Sequence, residues 1–227
     1  MRIVPAILTE NAVDFARQIE RASLYFDRIQ IDVQDGIAVP SHTLPLTQIC
    51  GSLISLPETV LKKCTFDFHL MVSDHEAAFS LLQSLKSTIA LGLIFVHISV
   101  QNSQNAEGLT LCPVLNPEDR IGPSLVFAGQ DVSICTAMQI MTIAPGPQGQ
   151  TFTSSHLEKI HHLRTNHHYT GEVLVDGGIN PESIKRILTL PASYHPDTLC
   201  VGSYLSHALD ADFESRVLHL EALISRV

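Results

Sequence analysis

The amino-acid sequence predicts a parallel α/β fold, a single (β/α)₈ barrel over residues 1–227 with its fourth helix shortened or missing. Three observations lead there. Eight short apolar runs alternate with stretches whose apolar residues fall at helical spacing. Some runs are apolar at consecutive residues, as in Val173-Leu174-Val175, which suits a strand covered by helices on both faces. The chain has 227 residues and is 45% hydrophobic, enough for one large core in a fold that reaches this size as one domain.

Taken in order, Arg2–Leu8 reads as the first strand, with Pro5 tolerable near its end. Asn11 opens a helix whose Ala12, Phe15, Ala16 and Ile19 fall on one face. Phe26–Val33 is the second strand, and Leu44–Leu56 a helix weakened at its end by Gly51 and Pro57. Thr65–Val72 is the third strand, followed by a helix over His75–Leu85. Leu91–Ser99 and Leu109–Leu115 are the fourth and fifth strands. Only Val100–Gly108 separates them. A crossover with its helix needs at least about 10–12 residues, so the fourth helix is expected to be lost or cut to a turn. A further helix is expected to open near Pro117. Cys135–Ile143 is the sixth strand, and Ser155-x-x-Glu158 reads as a capping box before a helix carrying Leu157, Ile160 and Leu163. Val173–Val175 is the seventh strand. Asn180-Pro181 then reads as an N-cap with proline at the first helical position, and Ile184, Ile187 and Leu188 face inward. Leu199–Gly202 is the eighth strand, and Phe213, Val217, Leu220 and Ile224 mark the last helix.

Composition narrows the function. A net charge of −9 argues against a nucleic-acid partner. No apolar run is long and clean enough to span a membrane. The N-terminal MRIVPAILTEN is too short and too soon acidic for a signal peptide. The five cysteines, Cys50, Cys64, Cys112, Cys135 and Cys200, are scattered without CxxC spacing, which fits buried thiols in a reducing cytosol. A cytoplasmic location is therefore expected.

Alternation locates the candidate site. In Ile29-Gln30-Ile31-Asp32-Val33-Gln34 the apolar residues take one parity and the polar residues the other. On a strand covered by helices the polar parity faces the barrel axis. The third strand repeats the pattern, with Asp67, His69 and Met71 on one face. Polar groups are costly there unless paired, so their clustering toward the strands' C-terminal ends marks a site, or else a satisfied polar plug. Asp176 ends the seventh strand at the same rim, ahead of Gly177 and Gly178 and a helix start that suits a phosphate. Strands two and seven lie apart around the ring, so Asp32 and Asp176 are expected to flank a ligand from opposite sides. Two opposed carboxylates suit removal of a proton on one face and its return on the other. The loop Pro145-Gly-Pro-Gln-Gly-Gln150, with Gly146 and Gly149, and the turn Gly202-Ser203 complete the rim after strands six and eight. His97, closing strand four, reads equally as a core histidine or a ligand. His161, His162, His167 and His168 read as a solvated helix end.

In order and spacing, IVPAIL, IQIDVQDGIAVP, FDFHLMV, LNPED, IMTIAPGPQGQTF, VDGGINPESI and VGS resemble the ribulose-phosphate 3-epimerase family over nearly the whole chain. The resemblance implies a (β/α)₈ barrel, a homodimer or higher homo-oligomer, and interconversion of ribulose 5-phosphate and xylulose 5-phosphate through an enediolate. It implies Asp32 and Asp176 as the two acid/bases. His69 and the same aspartates would bind a divalent metal, zinc or iron. Met71 and Met141 would line the intermediate, and Gly149, Gly177, Gly178, Gly202 and Ser203 would hold the phosphate of a small phosphorylated ketose.

The chain departs from the family pattern at the site. Ala6 stands where the family has a serine, Gln30 where it has a metal-binding histidine, and Gln34 where it has a methionine. Parity puts Gln30 on the inner face beside Asp32. A neutral amide is a poorer zinc partner than an imidazole, so metal binding is expected to be weak or absent. The amides of Gln30 and Gln34 are then candidate partners for the enediolate. Two alternatives stay open: an epimerase of another ketose phosphate, and a sugar-phosphate-binding barrel without turnover. The decarboxylase and hexulose-phosphate synthase chemistry of related barrels uses an Asp-x-Lys-x-x-Asp run, and Asp32-Val33-Gln34-Asp35 holds no lysine.

Overall fold

Each of the eight apolar runs forms a strand, because each can bury both faces. β1 spans Arg2–Ile7, β2 Arg28–Gln34, β3 Thr65–Met71, β4 Ala90–His97, β5 Thr110–Leu115, β6 Ala137–Met141, β7 Glu172–Asp176 and β8 Thr198–Val201. In this computed structural model, which describes residues 1–99, 106–122, 124–147 and 149–225, they pair in parallel and close into a TIM barrel. The ring runs β1-β8-β7-β6-β5-β4-β3-β2. Full closure leaves the barrel itself without an edge strand.

The helices form the outer layer. α1 (Ala12–Ser23) starts where the Asn11 side chain accepts from the amides of Val13 and Asp14, and it buries Phe15, Ile19 and Ala22. The expected helix over Leu44–Leu56 is two pieces, α2 (Leu46–Ile54) and α3 (Glu58–Lys63). Pro45 and Pro57 each stand at the N-cap, so each proline starts a helix that cannot continue the one before. α4 covers His75–Leu85, as expected. α5 (Glu158–Asn166) follows a 3₁₀ turn over Ser154–Leu157. No side-chain cap forms there, so the capping box read at Ser155 is not realised: the tighter turn takes up the first amides instead. α6 spans Pro181–Leu188, α7 Ser203–Ser206 and α8 Asp210–Ile224.

The helix expected near Pro117 does not form. The Asn116 amide donates to Asp119 Oδ2 at 2.6 Å and closes a turn. Beyond it runs a small antiparallel hairpin, Val126–Phe127 with Gln130–Asp131, whose turn residues Ala128 and Gly129 have φ of 51° and 76°. A start signal was present, but Gly122-Pro123 follows within two turns, and a proline there interrupts a helix. The expected loss of the fourth helix falls largely on Val100–Asn105, which lie outside the described residues. Among the described residues between β4 and β5, Leu109 donates to the Ala106 carbonyl in a turn, and no helix occurs.

Two apolar clusters result. The larger lies between strands and helices. The smaller lies inside the ring and contains Ala6, Phe95, Cys112, Val114, Ala137, Met141, Leu174 and Cys200. At the N-terminal end of the barrel Arg28 binds Asp67 at 2.6 Å and Glu172 at 2.9 Å, and Thr198 donates to Glu172. Asp67, on the inward parity of β3, is thus a paired structural acid two layers below the rim.

Candidate active site

Register sets the site. Asp32 pairs with His69 across β2 and β3, and Met141 pairs with Asp176 across β6 and β7. One cavity at the C-terminal ends of the strands is lined by Asp32, Gln34, His69, Met71, Met141 and Asp176. Gly146, Gly149, Gly177, Gly178, Gly202 and Ser203 form its rim. Every residue expected at the site therefore lines it except Gln30, which is fully buried just beneath. Gln148, in the Pro145–Gln150 loop, lies outside the described residues.

The rim loops need their glycines. Gly177 has φ of 113°, and a Cβ there would stand 2.5 Å from Ile143 Cγ1. At Gly178 φ is 66°, and a Cβ would meet the Phe152 amide nitrogen at 2.8 Å. Loop β7–α6 thus packs against the loop after β6 at backbone distance. Asn180 then caps α6, accepting from Glu182 and Ser183, while the Ser183 hydroxyl accepts from the Asn180 amide.

The two aspartates converge more closely than opposed positions suggested. Only β8 and β1 separate β7 from β2 in the ring. The Gln30 side-chain amide donates to Asp32 Oδ1 at 2.9 Å and to Asp176 Oδ2 at 2.8 Å, bridging them. The Gln30 carbonyl accepts from the Cys200 thiol at 3.3 Å, which fixes the amide with its nitrogen toward the carboxylates. Gln34 is committed elsewhere. Its amide donates to the Gly146 carbonyl at 2.9 Å and contacts Met71 Sδ at 3.5 Å, and its carbonyl accepts from Ser41 at 2.7 Å. It clamps the loop after β6 onto the loop after β2 and is not a free donor for a bound intermediate.

His69 is the centre of a row. Its Nδ1 stands 3.6 Å from both Asp32 Oδ1 and Asp176 Oδ2. Its Nε2 stands 3.1 Å from His97 Nε2, and His97 Nδ1 is 2.8 Å from Asn116 Oδ1. Burial disfavours charge on His69, but the facing Asp176 and Asp32 outweigh it and lift its pKa to about 9. Burial and then the neighbouring His69 push His97 down to about 3, so His97 is neutral and accepts from His69 while donating to Asn116. Asp32 is raised by burial, with His69 pulling the other way and the charge of Asp176 adding to the rise. His97 faces the far nitrogen of His69 and so does not replace the missing metal ligand.

Sequence reading missed Gln139. It is fully buried on β6, and its amide nitrogen lies 3.0 Å from Asp176 Oδ2 and 3.1 Å from His69 Nδ1. The signal was available: in Ala137-Met138-Gln139-Ile140-Met141, Gln139 shares parity with the cavity-lining Met141.

Asp32, His69 and Asp176 could hold a metal ion, and among the described residues theirs is the one group of three His, Cys, Asp or Glu so spaced. Tetrahedral donors at metal bonds of about 2.0–2.1 Å stand about 3.4 Å apart, and the two edges at His69 are 3.6 Å. The two edges at His69 therefore fit a three-ligand site, and all three donors lie within 4.8 Å of one another. The side where a fourth ligand would stand carries the Gln30 amide nitrogen, a donor. The histidines near the end of α5 make no such group; His161 stacks on Tyr194 at 5.0 Å.

Comparison with known proteins places this geometry. The family model described as "Ribulose-phosphate 3 epimerase family" matches residues 2–205. Ribulose-phosphate 3-epimerase of Synechocystis sp. is 30% identical over 204 residues, covering 84% of this chain and 83% of that protein. The Bacillus subtilis enzyme of the same name is 27% identical, covering 85% of this chain and 88% of its own. Among solved structures, a chain of the Pyrococcus furiosus tryptophan synthase complex superposes with a TM-score of 0.64 at 10% identity, covering 99% of this chain and 98% of that one. A 3-hexulose-6-phosphate synthase does so with a TM-score of 0.62 at 14%, covering 98% and 99%. Those two likenesses speak for the barrel alone. With the matched residues running from β1 into α7 and containing every site residue above, the chain belongs to the ribulose-phosphate 3-epimerase family, a family of isomerases.

Proposed function

We propose that the protein is a ketose-phosphate 3-epimerase that interconverts ribulose 5-phosphate and xylulose 5-phosphate by two-base proton transfer at C3. The observation that carries this reading is the convergence of two buried carboxylates, Asp32 and Asp176, on one glycine-rimmed cavity. One carboxylate takes the C3 proton, the electron pair moves into the carbonyl to give an enediolate, and the other returns a proton to the opposite face. C3 is thereby inverted. A positioned acid or base of this kind contributes typically about 10²–10⁴ in rate. Backbone amides around Gly177, Gly178, Gly202 and Ser203, with the Gly149 loop, receive the phosphate. Met71 and Met141 pack against the planar intermediate and keep water away. The Gln30 amide holds both carboxylates in place from beneath the cavity, its two N–H groups spent on them.

Asp32, His69 and Asp176 are the residues that would hold a divalent zinc or iron ion, which when bound polarises the carbonyl and steadies the enediolate. We infer weak or absent binding, because Gln30 offers an amide where a fourth ligand belongs. The ligand partner is a small phosphorylated ketose, and the protein acts as a homodimer or higher homo-oligomer in the cytoplasm. Among the described residues no helix is long and apolar enough to cross a membrane.

A second reading is favoured by one observation. Gln30 donates to both carboxylates at once, which tempers them as bases and suits a barrel that binds a sugar phosphate without turning it over. Proton NMR of ribulose 5-phosphate in deuterated buffer separates the two. Epimerisation predicts deuterium at C3 and accumulation of xylulose 5-phosphate, both abolished in Asp32→Asn and Asp176→Asn. Binding without C3 exchange would establish the second reading. Exchange that converts a different ketose phosphate much faster would reassign the substrate.

A further inference from the structure

We propose that Gln139 is a positioning residue that keeps tightly bound metal out of this site by holding an amide N–H against Nδ1, the nitrogen through which His69 would ligate. The three candidate donors form a triangle: Asp32 Oδ1, Asp176 Oδ2 and His69 Nδ1. Gln30 lies on its Asp32–Asp176 edge, 2.9 and 2.8 Å from the two oxygens. Gln139 lies on its His69–Asp176 edge, with its amide nitrogen 3.1 Å from Nδ1 and 3.0 Å from Oδ2. The two contacts differ in kind. A carboxylate oxygen can serve an amide and a metal together, having lone pairs to spare. An imidazole nitrogen has one. Ligation requires the Nδ1 proton to leave, and the Gln139 N–H is then the donor beside that pair, which a metal must displace.

Neither partner turns away easily. The far side of the His69 ring is held by His97 at 3.1 Å, which is held in turn by Asn116 at 2.8 Å. Gln139 is fully buried, and its Oε1 has no hydrogen-bond partner. Turning the amide over would set that oxygen against Asp176 and move the NH₂ into the place where the oxygen already lacks a partner. An unpaired buried carbonyl is tolerated here because the other end of the amide donates to the Asp176 carboxylate. Gln30 and Gln139 together thus present N–H groups where a cation would sit. They supply positive potential of the same sign at the same place, from atoms that never leave.

The inference rests on the assignment of Asp32, His69 and Asp176 as the reacting centre, and it is read through metal affinity so that it fails separately from turnover. Zinc affinity is measured at neutral pH by competition with a chromophoric chelator, for the natural chain and for the near-isosteric Gln139→Leu and Gln139→Met. Thermal unfolding without metal checks that each variant folds. The natural chain is expected to bind zinc weakly, and both variants to tighten it on the order of 10- to 100-fold, the usual size of such effects around a metal site. Tight stoichiometric zinc in the natural chain would overturn the proposal. So would variants whose affinity is unchanged, or lower, the latter making Gln139 a ligand through Oε1. Should both variants fail to fold, nitrogen NMR of His69 in the natural chain decides. An Nδ1 resonance that moves on adding stoichiometric zinc defeats the proposal, and one that stays supports it. C3 exchange on the same samples reports separately on the epimerase reading.

Discussion

Asp176 accepts from two glutamine amides through one oxygen, while Asp32 accepts from one, and both face the edge of His69. That asymmetry comes from three inward positions on β2, β3 and β6, and its consequence is a measurable pH dependence. The pKa of His69 is raised in the folded protein to about 9 from an unfolded value near 6.5. A raised histidine contributes stability that is fully present below the unfolded value and is lost as pH rises through the folded one. Unfolding free energy should therefore fall between about pH 7 and 10, by at most on the order of 3 kcal/mol. Denaturant melts across that range check it, and a His69→Asn variant should show a flatter profile. An equally steep decline in the variant would assign the titration elsewhere. At this scale the sequence was informative where alternation ran long enough. It put Asp32, His69 and Asp176 on the inward face, where they line one cavity, and it named Gln30 as the residue beside them. It did not distinguish Asp67, on the same parity as His69, as a salt-bridged acid, because its partner Arg28, which also binds Glu172, begins another strand. The tie from Gln34 to the Gly146 carbonyl was not foreseen for a related reason: it reaches a loop whose path no local pattern encodes.

Loop β7–α6 shows how an element builds the rim. β7 ends in Asp176, Gly177 and Gly178 turn the chain with positive φ, and Asn180 caps α6 with both halves of a capping box. The two glycines have distinct duties, since one approaches Ile143 and the other Phe152 and Gln150. Gly178→Ala must place a Cβ 2.8 Å from a backbone nitrogen at a φ of 66°, so the loop has to move. Such a substitution costs more than about 1 kcal/mol where φ is positive. We expect the variant to remain folded, with a lower melting temperature and KM for ribulose 5-phosphate raised about tenfold or more. An unchanged KM would remove this loop from the phosphate site. The element was legible because Gly-Gly and Asn-Pro are strong local punctuation. The start near Pro117 and the Ser155 box misled for the complementary reason. Each is a start signal a few residues long. In the first Gly122-Pro123 interrupts the continuation, and in the second a 3₁₀ turn met the same amides. Caps decide where a helix begins only if packing supports the helix that follows.

Across the whole molecule, chemistry and anchoring occupy opposite ends of the barrel. The architecture was readable because eight apolar runs each needed cover on both faces, and a closed ring with an outer helical layer supplies it. The anchor was not, since it joins the first residues of β2, β7 and β8 to Asp67, where no alternation has yet begun. Arg28 binds Asp67, which is 1% exposed, and also Glu172, which accepts from Thr198; Asp67 further accepts from the Leu93 amide at 2.7 Å. Burial raises the pKa of Asp67, and the charge of Arg28 beside it acts against that rise. Removing the cation leaves two acids facing each other without compensation, a loss of about 3–5 kcal/mol for a buried pair. For a chain of this size that is a fall in Tm of roughly 6–20 °C. Arg28→Met should show it in a thermal melt, and lowering the pH should restore part of the loss by protonating the stranded acids. C3 exchange per folded molecule at a permissive temperature should stay near that of the natural chain, because Arg28 lies two inward positions below Asp32 on β2 and touches neither Asp32 nor Asp176. A variant that melts normally would mean that water and Thr198 already satisfy the acids. One that melts early and also loses exchange in the folded state would show that the base of the barrel sets the geometry of its mouth.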